Sequence, residues 1–113
     1  MHSLKKTNAF KIVYENGRKV VNPFFVVYVR LNCLNINRLG ISVSKKVGNA
    51  VTRNRIKRII REYCRLKSEI IVNGFDIVIV VRPVVSELPG DELFQKVNTS
   101  LNTLFQRHGL LVE

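Results

Sequence analysis

The amino-acid sequence predicts an α/β (α+β) two-layer sandwich, in which three helices pack on a single four-stranded, mostly antiparallel sheet. Three observations favour this class. The predicted elements run helix, three strands, helix, strand, helix; the last strand is almost continuously apolar; and the central helix is apolar on one side only. A chain of 113 residues, 46% of them hydrophobic, suffices for one core, so we expect a single domain spanning residues 1–113.

The first predicted helix covers residues 7–16. Phe10, Val13 and Tyr14 recur at the i, i+3 and i+4 positions that share one face of a helix, and Gly17 follows as a terminator. We therefore expect a short helix near the N-terminus.

Two strands are predicted within residues 19–31, which are mainly β-branched and aromatic and are interrupted by a turn at Asn22-Pro23. The second strand begins at Phe24, and its alternation predicts one side that faces the core. The core side carries Phe25, Val27, Val29 and Leu31, and the opposite side carries Phe24, Val26, Tyr28 and Arg30.

Residues 39–44 predict the third strand, in which Leu39, Ile41 and Val43 point inward. The Asn-rich segment 32–38 before it is typical of a turn. We therefore expect this strand to form a hairpin with the strand that begins at Phe24.

The last two elements follow Asn73-Gly74. Residues 75–81 are almost continuously apolar, as expected of a strand covered on both faces, and Pro83 ends it. The third strand, the central helix and this last strand would form a βαβ-like unit. The final helix, at about residues 90–108, would face the sheet with Leu93, Val97, Leu101, Leu104 and Phe105.

The central helix, predicted from Thr52, carries most of the net positive charge. Between Lys45 and Lys67, nine basic residues stand against the single acid Glu62, which leaves +8 of the chain's net charge of +11. Charge of this density, on a chain with a pI near 10.3, attracts polyanions. Nucleic acid is the expected partner, and an acidic membrane surface is the alternative.

At about 100° per residue, the central helix separates into an apolar face and a basic face. The apolar face, expected to dock on the sheet, carries Ile56, Ile59, Ile60, Tyr63 and Leu66. The basic face carries Asn54, Lys57, Arg58, Arg61 and Arg65, with Arg53 and Arg55 at its boundary. Like charges repel along such a face, which favours an external anion over the simpler interpretation of a solvated helix surface.

The loop before this helix offers a second anion site. Lys45, Lys46, Gly48 and Asn49 precede the helix N-terminus, where exposed amides and the helix dipole favour a phosphate. The structural alternative is that Gly48 turns the chain and Asn49 or Thr52 caps the helix.

Three aromatic residues form a candidate base-stacking group. Phe10 and Tyr14 lie one helical turn apart, and Tyr28 lies on the less apolar side of its strand, beside Arg30. If the first helix packs near that side, the rings line a groove suited to unpaired bases. Each ring alone is also compatible with a core position.

The sequence contains no recognisable catalytic or metal-ligating constellation. His2 and His108 stand near the termini, without a paired carboxylate or a plausible triad. Cys33 and Cys64 belong to no metal or disulfide motif and indicate reduced thiols, and no apolar run is long enough to span a bilayer. We therefore expect a cytoplasmic protein that binds no cofactor itself and does not enter a membrane.

The string VTRNRIKRIIRE at residues 51–62 resembles the RNR signature of the bacterial ribonuclease P protein family. The resemblance extends to ISVSKKVGNAVTRNRIKR at residues 41–58, to FVVY at residues 25–28, to FDIVIVVRP at residues 75–83 and to the Phe10, Tyr14, Gly17 spacing, although Tyr14 stands where phenylalanine is common. It implies a small basic cofactor of a catalytic RNA that removes 5′ leaders from precursor tRNA, with the hydrolysis performed by RNA and Mg²⁺. It also implies a left-handed βαβ crossover.

The resemblance implies two sets of binding residues. Those expected to contact the RNA subunit are Lys45, Lys46, Asn49, Arg53, Asn54, Arg55, Lys57, Arg58, Arg61 and Arg65. Those expected to line a cleft for the single-stranded leader are Phe10, Tyr14, Tyr28 and, at the end of the last strand, Arg82. The implied partners are the catalytic RNA and precursor tRNA, with no protein partner required.

The residues alone leave a second function class open. A non-enzymatic RNA-binding module, such as a ribosomal protein or an RNA chaperone, would show the same charge and aromatic pattern. A sequence-specific DNA binder is disfavoured, because the basic face offers only Asn54 among its cations for reading bases.

Overall fold

The computed structural model describes residues 1–112, which form a five-stranded sheet and three α-helices. The elements are β1 (His2–Ser3), α1 (Thr7–Asn16), β2 (Arg18–Val21), β3 (Phe25–Leu31), β4 (Arg38–Ser42), α2 (Ala50–Leu66), β5 (Phe75–Val81), a 3-10 helix (Pro83–Glu87) and α3 (Gly90–Arg107). The predicted α+β class with three helices is confirmed, and the first helix has the predicted bounds.

The strand order is β1-β4-β5-β3-β2, with two parallel pairings (β1–β4 and β4–β5) and two antiparallel pairings (β5–β3 and β3–β2). The predicted count of four strands is wrong because the N-terminal residues add β1 at the edge of β4. A strand of two residues is too short to show an alternation of apolar and polar side chains, so β1 could not be predicted from the hydrophobic pattern.

The predicted hairpin between β3 and β4 is also wrong, because β5 lies between them. The local hairpin is instead β2–β3, in which Lys19 pairs with Tyr28 across the Asn22-Pro23 turn. A strand as apolar as β5 is stabilised by neighbours on both edges, and Ile77, Val78 and Ile79 are fully buried there. The predicted βαβ-like unit is confirmed, since β4 and β5 are adjacent and parallel and α2 connects them.

One face of the sheet packs against α2 and α3 and forms the main core. Phe25, Val27 and Val29 of β3 are buried there, as the alternation predicts, but Leu31 is 60% exposed because the strand runs past the edge of that core. The predicted apolar side of α3 is confirmed: its buried residues are Leu93, Val97, Leu101, Leu104 and Phe105.

Helix α1 packs on the opposite face. Val13 and Val78 are fully buried in a smaller cluster, with Phe10 and Tyr28 packed at its margin. A ten-residue helix covers only part of a five-stranded sheet, so the side chains of Val26, Ser42 and Val80 on this face stay half-buried. This leaves part of the face uncovered beside α1, where the predicted leader cleft would lie.

Candidate nucleic-acid interface

The inward side of α2 fixes which of its residues reach the surface. Ile56, Ile60, Tyr63 and Cys64 are buried, whereas Leu66 is 56% exposed. The prediction that Leu66 docks on the sheet is wrong. The buried stripe is centred between Ile56 and Ile60 and extends towards Cys64, so Leu66 falls outside the stripe at the end of the helix.

The outward side of α2 carries the predicted basic face. Five residues of this face are exposed: Asn54, Arg55, Arg58, Arg61 and Arg65. Arg53 and Lys57 are half-buried at its margin. Within residues 1–112, the ion pairing of this helix is confined to Arg65, whose Nε donates to Glu62 Oε2 at 3.0 Å. The face therefore keeps most of its charge available for an external anion.

Three of the predicted contact residues also stabilise the fold. Asn49 is the N-cap of α2, and its Oδ1 accepts a hydrogen bond from the Thr52 amide at 2.9 Å. Arg53 Nη1 donates to the Gly48 carbonyl at 3.3 Å, and Arg55 Nη2 donates to the Gly90 carbonyl at 3.2 Å. The structural alternative for Asn49 thus holds, and both arginines keep further N–H donors.

The loop between β4 and α2 presents two lysines. Lys45 and Lys46 are exposed, whereas the next residue, Val47, is buried in the main core. The Val47 amide donates to the Ser44 carbonyl at 3.0 Å, which closes a tight turn. The buried valine anchors the turn, and the two exposed lysines stand a few residues before the N-terminus of α2.

The structure brings the three predicted cleft aromatics together. The ring centroids of Phe10 and Tyr14 lie 6.4 Å apart, and those of Tyr14 and Tyr28 lie 4.9 Å apart at an interplanar angle of 75°. Tyr14 is 38% exposed, while Phe10 and Tyr28 are half-buried. The group therefore has apolar ring surface on the open face of the sheet and is not absorbed into the core.

Gly40 sets the position of Phe10. A Cβ at residue 40 would lie 2.5 Å from Cζ of the Phe10 ring, so the ring rests directly on the main chain of β4. In the sheet, Gly40 pairs with Val78, and Val78 pairs with Tyr28. Phe10 of α1 thus packs over Gly40 of β4, in the same row of the sheet as Tyr28 of β3, and β5 separates the two strands.

A buried ion network at the other end of this face has no obvious signal in the sequence. Asp76 is 2% exposed, and both of its carboxylate oxygens accept hydrogen bonds from Arg38, each at 2.7 Å. Asn32 Nδ2 donates to the same carboxylate at 3.0 Å, and Arg30 Nη1 lies 3.8 Å from it. Burial raises the pKa of Asp76, but hydrogen bonds from Arg38 and Asn32 outweigh burial, so the net pKa is below the ordinary value.

Arg82 is separate from the aromatic group. It lies four residues beyond Val78 along β5, roughly 13 Å at the usual rise of a strand. Its Nη1 donates to the Asn22 carbonyl at 3.2 Å, which ties it to the β2–β3 turn. The structure therefore places Arg82 beside the β2–β3 turn, away from the three rings.

Other kinds of site find little support among residues 1–112. No group of three or more His, Cys, Asp or Glu side chains there is close enough to hold a metal ion. Cys33 and Cys64 are both free thiols. No helix in this part of the chain is both long and apolar enough to cross a membrane.

Comparison with known proteins points to one family. The model of the ribonuclease P family matches residues 1–106. The ribonuclease P protein component of Clostridium kluyveri is 40% identical over 112 residues, which cover 97% of this chain and 96% of the relative. That of Caldanaerobacter subterraneus is 42% identical over 110 residues, covering 97% and 91% of the two chains.

Solved structures give the same result. The Staphylococcus aureus RNase P protein superposes with a TM-score of 0.89 at 35% identity and covers 98% of both chains. The Thermotoga maritima RNase P protein superposes with a TM-score of 0.83 at 35% identity, over 95% of this chain and 97% of that one.

Proposed function

This chain belongs to the ribonuclease P protein family, and it is therefore the protein component of a tRNA-processing ribonucleoprotein endoribonuclease whose partner is the ribonuclease P RNA. From that premise we propose that two surfaces divide its work. The basic face of α2 and the adjoining lysine loop bind the catalytic RNA, and the cleft beside α1 binds the 5′ leader of precursor tRNA.

The observation that carries this proposal is the one-sided charge of α2. Arg58 and Arg61 are exposed and have no carboxylate partner among residues 1–112. Guanidinium groups bind phosphate oxygens through paired N–H donors. Each phosphate that such a cation neutralises releases counterions from the RNA, which favours binding. Lys45 and Lys46 extend the same charge beyond the N-terminus of the helix.

The leader cleft is supported by different chemistry. Phe10, Tyr14 and Tyr28 offer ring faces, and a base stacked on a ring gains affinity whatever its identity. A leader differs in sequence from one tRNA to another, so recognition by stacking suits it. Arg82 would meet a phosphate at the distal end of the cleft.

The protein itself contributes no catalytic group in this proposal. Residues 1–112 hold no cluster of acidic side chains that fits Mg²⁺, so the proposal assigns Mg²⁺ to the RNA and to the RNA–substrate interface. The protein's residues bind and orient the two RNAs. Pre-tRNA processing by this assembly would take place in the cytoplasm, with no further protein partner.

The test is reconstitution of cleavage. Purified protein is added to the ribonuclease P RNA with 5′-labelled precursor tRNA at low Mg²⁺, and release of the leader is measured. Enhanced cleavage by wild-type protein and loss of the enhancement in the double variant Arg58→Ala, Arg61→Ala supports the proposal. Binding of RNA without any enhancement would favour the alternative of a non-enzymatic RNA-binding module.

A further inference from the structure

A cavity of about 330 Å³ lies between α1 and α2 at the outer edge of β4. We call it the edge pocket. Its floor is apolar and is formed by Leu4, Leu39, Ile41 and Cys64, and Phe10 forms one wall. The volume is at the lower end of the range of small-ligand sites, roughly 300–1,000 Å³. It suits one small planar group.

The edge of β4 is open inside this pocket. The Leu4 amide donates to the Leu39 carbonyl at 2.8 Å, and there the pairing between β1 and β4 ends. The main-chain amide and carbonyl groups that point towards one edge of a strand come from every second residue. After Leu39, the next groups that point towards this edge therefore belong to Ile41. Across residues 1–112, neither group has a hydrogen-bond partner on that side of β4. The pocket thus contains a neighbouring donor and acceptor.

The mouth of the pocket is positively charged. Arg61 and Arg65 line it, together with the exposed Ser3. Arg65 is held by Glu62, whereas the guanidinium of Arg61 has no carboxylate partner in the described part of the chain. An apolar floor, a polar main-chain edge and a cationic mouth match a nucleotide, which combines a flat base, a hydrogen-bonding edge and a phosphate.

Addition of a peptide strand fits less well. The open edge offers the hydrogen-bonding groups of a single residue, because β4 ends at Ser42. Recognition by strand addition needs a run of such groups. The pocket is also continuous with the basic face of α2 through Arg61, which connects it to the surface assigned above to the RNA subunit.

We propose that the edge pocket holds one unpaired nucleotide of the catalytic RNA, with the base at the Ile41 main chain and the phosphate at Arg61. This proposal rests on the proposed function, because the catalytic RNA is the partner of the α2 face. The occupied pocket would fix the position of the RNA beside Phe10, and hence beside the leader cleft.

Filling the pocket tests the proposal. Ser3→Trp places a large ring at the mouth, while His2→Trp is the matched control, because His2 is the neighbouring residue of β1 and lines a different cavity. Ser3→Trp is expected to weaken binding of the catalytic RNA by about five-fold or more, the scale of one lost base contact. His2→Trp is expected to bind as wild type.

Two further readouts identify the occupant. The salt dependence of RNA binding should stay unchanged in Ser3→Trp, because no cation is removed. The ratio of holoenzyme affinities for precursor and mature tRNA should also stay unchanged. Selective loss of precursor binding, with catalytic RNA bound normally, would assign the pocket to the leader and overturn the proposal.

A cross-linking experiment covers the case in which Ser3→Trp does not fold. Ser3→Cys and His2→Cys, each in a Cys33→Ser background, are labelled with an azidophenacyl group and bound to the catalytic RNA. Burial raises the pKa of the remaining thiol, Cys64, to about 12, so labelling is selective. Cross-links from position 3 should concentrate on one unpaired nucleotide that position 2 does not reach.

The two proposals fail separately. Wild-type RNA affinity in a folded Ser3→Trp variant, or dispersed cross-links from position 3, would overturn the edge pocket. If Arg58→Ala still weakens RNA binding in that case, the proposed function of the α2 face stands.

Discussion

The outer side of α2 and the sheet face beside α1 are both exposed, yet they are built in opposite ways. On α2, cations lie on a helix whose only internal ion pair joins Arg65 to Glu62 among residues 1–112. On the sheet face, the charge of Asp76 is buried and paired with Arg38, and the aromatic rings of Phe10, Tyr14 and Tyr28 form part of the accessible surface. The first surface suits long-range attraction of phosphates, and the second suits short-range contact with bases.

Disruption of the buried ion network should have the largest effect, because it leaves a charge without its partner at one end of the sheet face. Asp76→Asn leaves the Arg38 guanidinium without its carboxylate and is expected to lower the free energy of unfolding by about 3–5 kcal/mol. The expected value lies near the lower limit, since the Arg38 side chain is 34% exposed and can turn towards water. Urea denaturation measures the loss. Glu15→Gln, which removes a solvent-exposed carboxylate paired with Lys11, is the control and should change little.

The same network predicts a dependence on pH. The pKa of Asp76 is lower in the folded than in the unfolded chain, so its contribution is complete above the ordinary aspartate pKa of about 3.9 and is lost as the pH falls through the folded value. The difference in unfolding free energy between wild type and Asp76→Asn should therefore shrink on acidification below about pH 4. A constant difference would contradict this role for the carboxylate.

Substitutions on the two sides of α2 should have different effects: the buried side determines the stability of the fold, and the exposed side contributes to RNA binding. Ile60 is fully buried, so Ile60→Ala should cost about 2–5 kcal/mol of unfolding free energy through lost contacts and a cavity. Arg58→Ala, two residues earlier on the exposed side, should cost less than about 0.5 kcal/mol. Thermal unfolding followed by circular dichroism compares them. A neutral Ile60→Ala would mean that the faces of the helix are assigned wrongly.

Within the aromatic group, Tyr28 should contribute to precursor tRNA binding alone, because it does not line the edge pocket. Tyr28→Ala in the holoenzyme is expected to cost at most about 1–3 kcal/mol, or about five-fold to 150-fold in affinity, without changing the salt dependence. Tyr28→Phe keeps the ring and should bind nearly as wild type. Phe94→Ala removes an exposed ring from α3 and serves as the control. Equal losses for precursor and mature tRNA would return Tyr28 to a structural role.

The smallest expected effect is on the salt dependence of catalytic-RNA binding. Arg58→Ala should reduce the slope of the logarithm of catalytic-RNA affinity against the logarithm of salt concentration by about 0.7–0.9. This is the contribution of one phosphate contact. Arg107→Ala removes an exposed arginine from α3 and should leave the slope unchanged. Filter binding over a salt series measures both. An unchanged slope in Arg58→Ala would remove that residue from the phosphate contacts.

Local patterns predicted a large part of this structure. The spacing of Phe10, Val13 and Tyr14 predicted α1 with its observed bounds, and the one-sided charge of residues 45–67 predicted the basic face of α2. Both follow from helical periodicity, which depends on neighbours three and four residues apart. The same periodicity misplaced Leu66, because the buried stripe is centred between Ile56 and Ile60 and extends towards Cys64, on the side away from Leu66.

Long-range pairing was not readable from the sequence. The placement of β5 between β3 and β4 joins residues that are distant in the chain, and the side-chain alternation of a strand is the same whichever neighbour it has. The pairing of Arg38 with Asp76 and the packing of Phe10 on Gly40 both depend on that placement. The open edge at Ile41 depends in turn on the two-residue strand β1, which stops short of it.

The sequence by itself determined the class of fold, the sign and location of the charge, and the residue types available for binding, because these depend on composition and on spacing within one element. Tertiary structure decided which of those residues meet. Aromatic rings from α1 and β3 form one group, and side chains from β1, α1, β4 and α2 enclose one pocket, because the strand order sets the distances between elements.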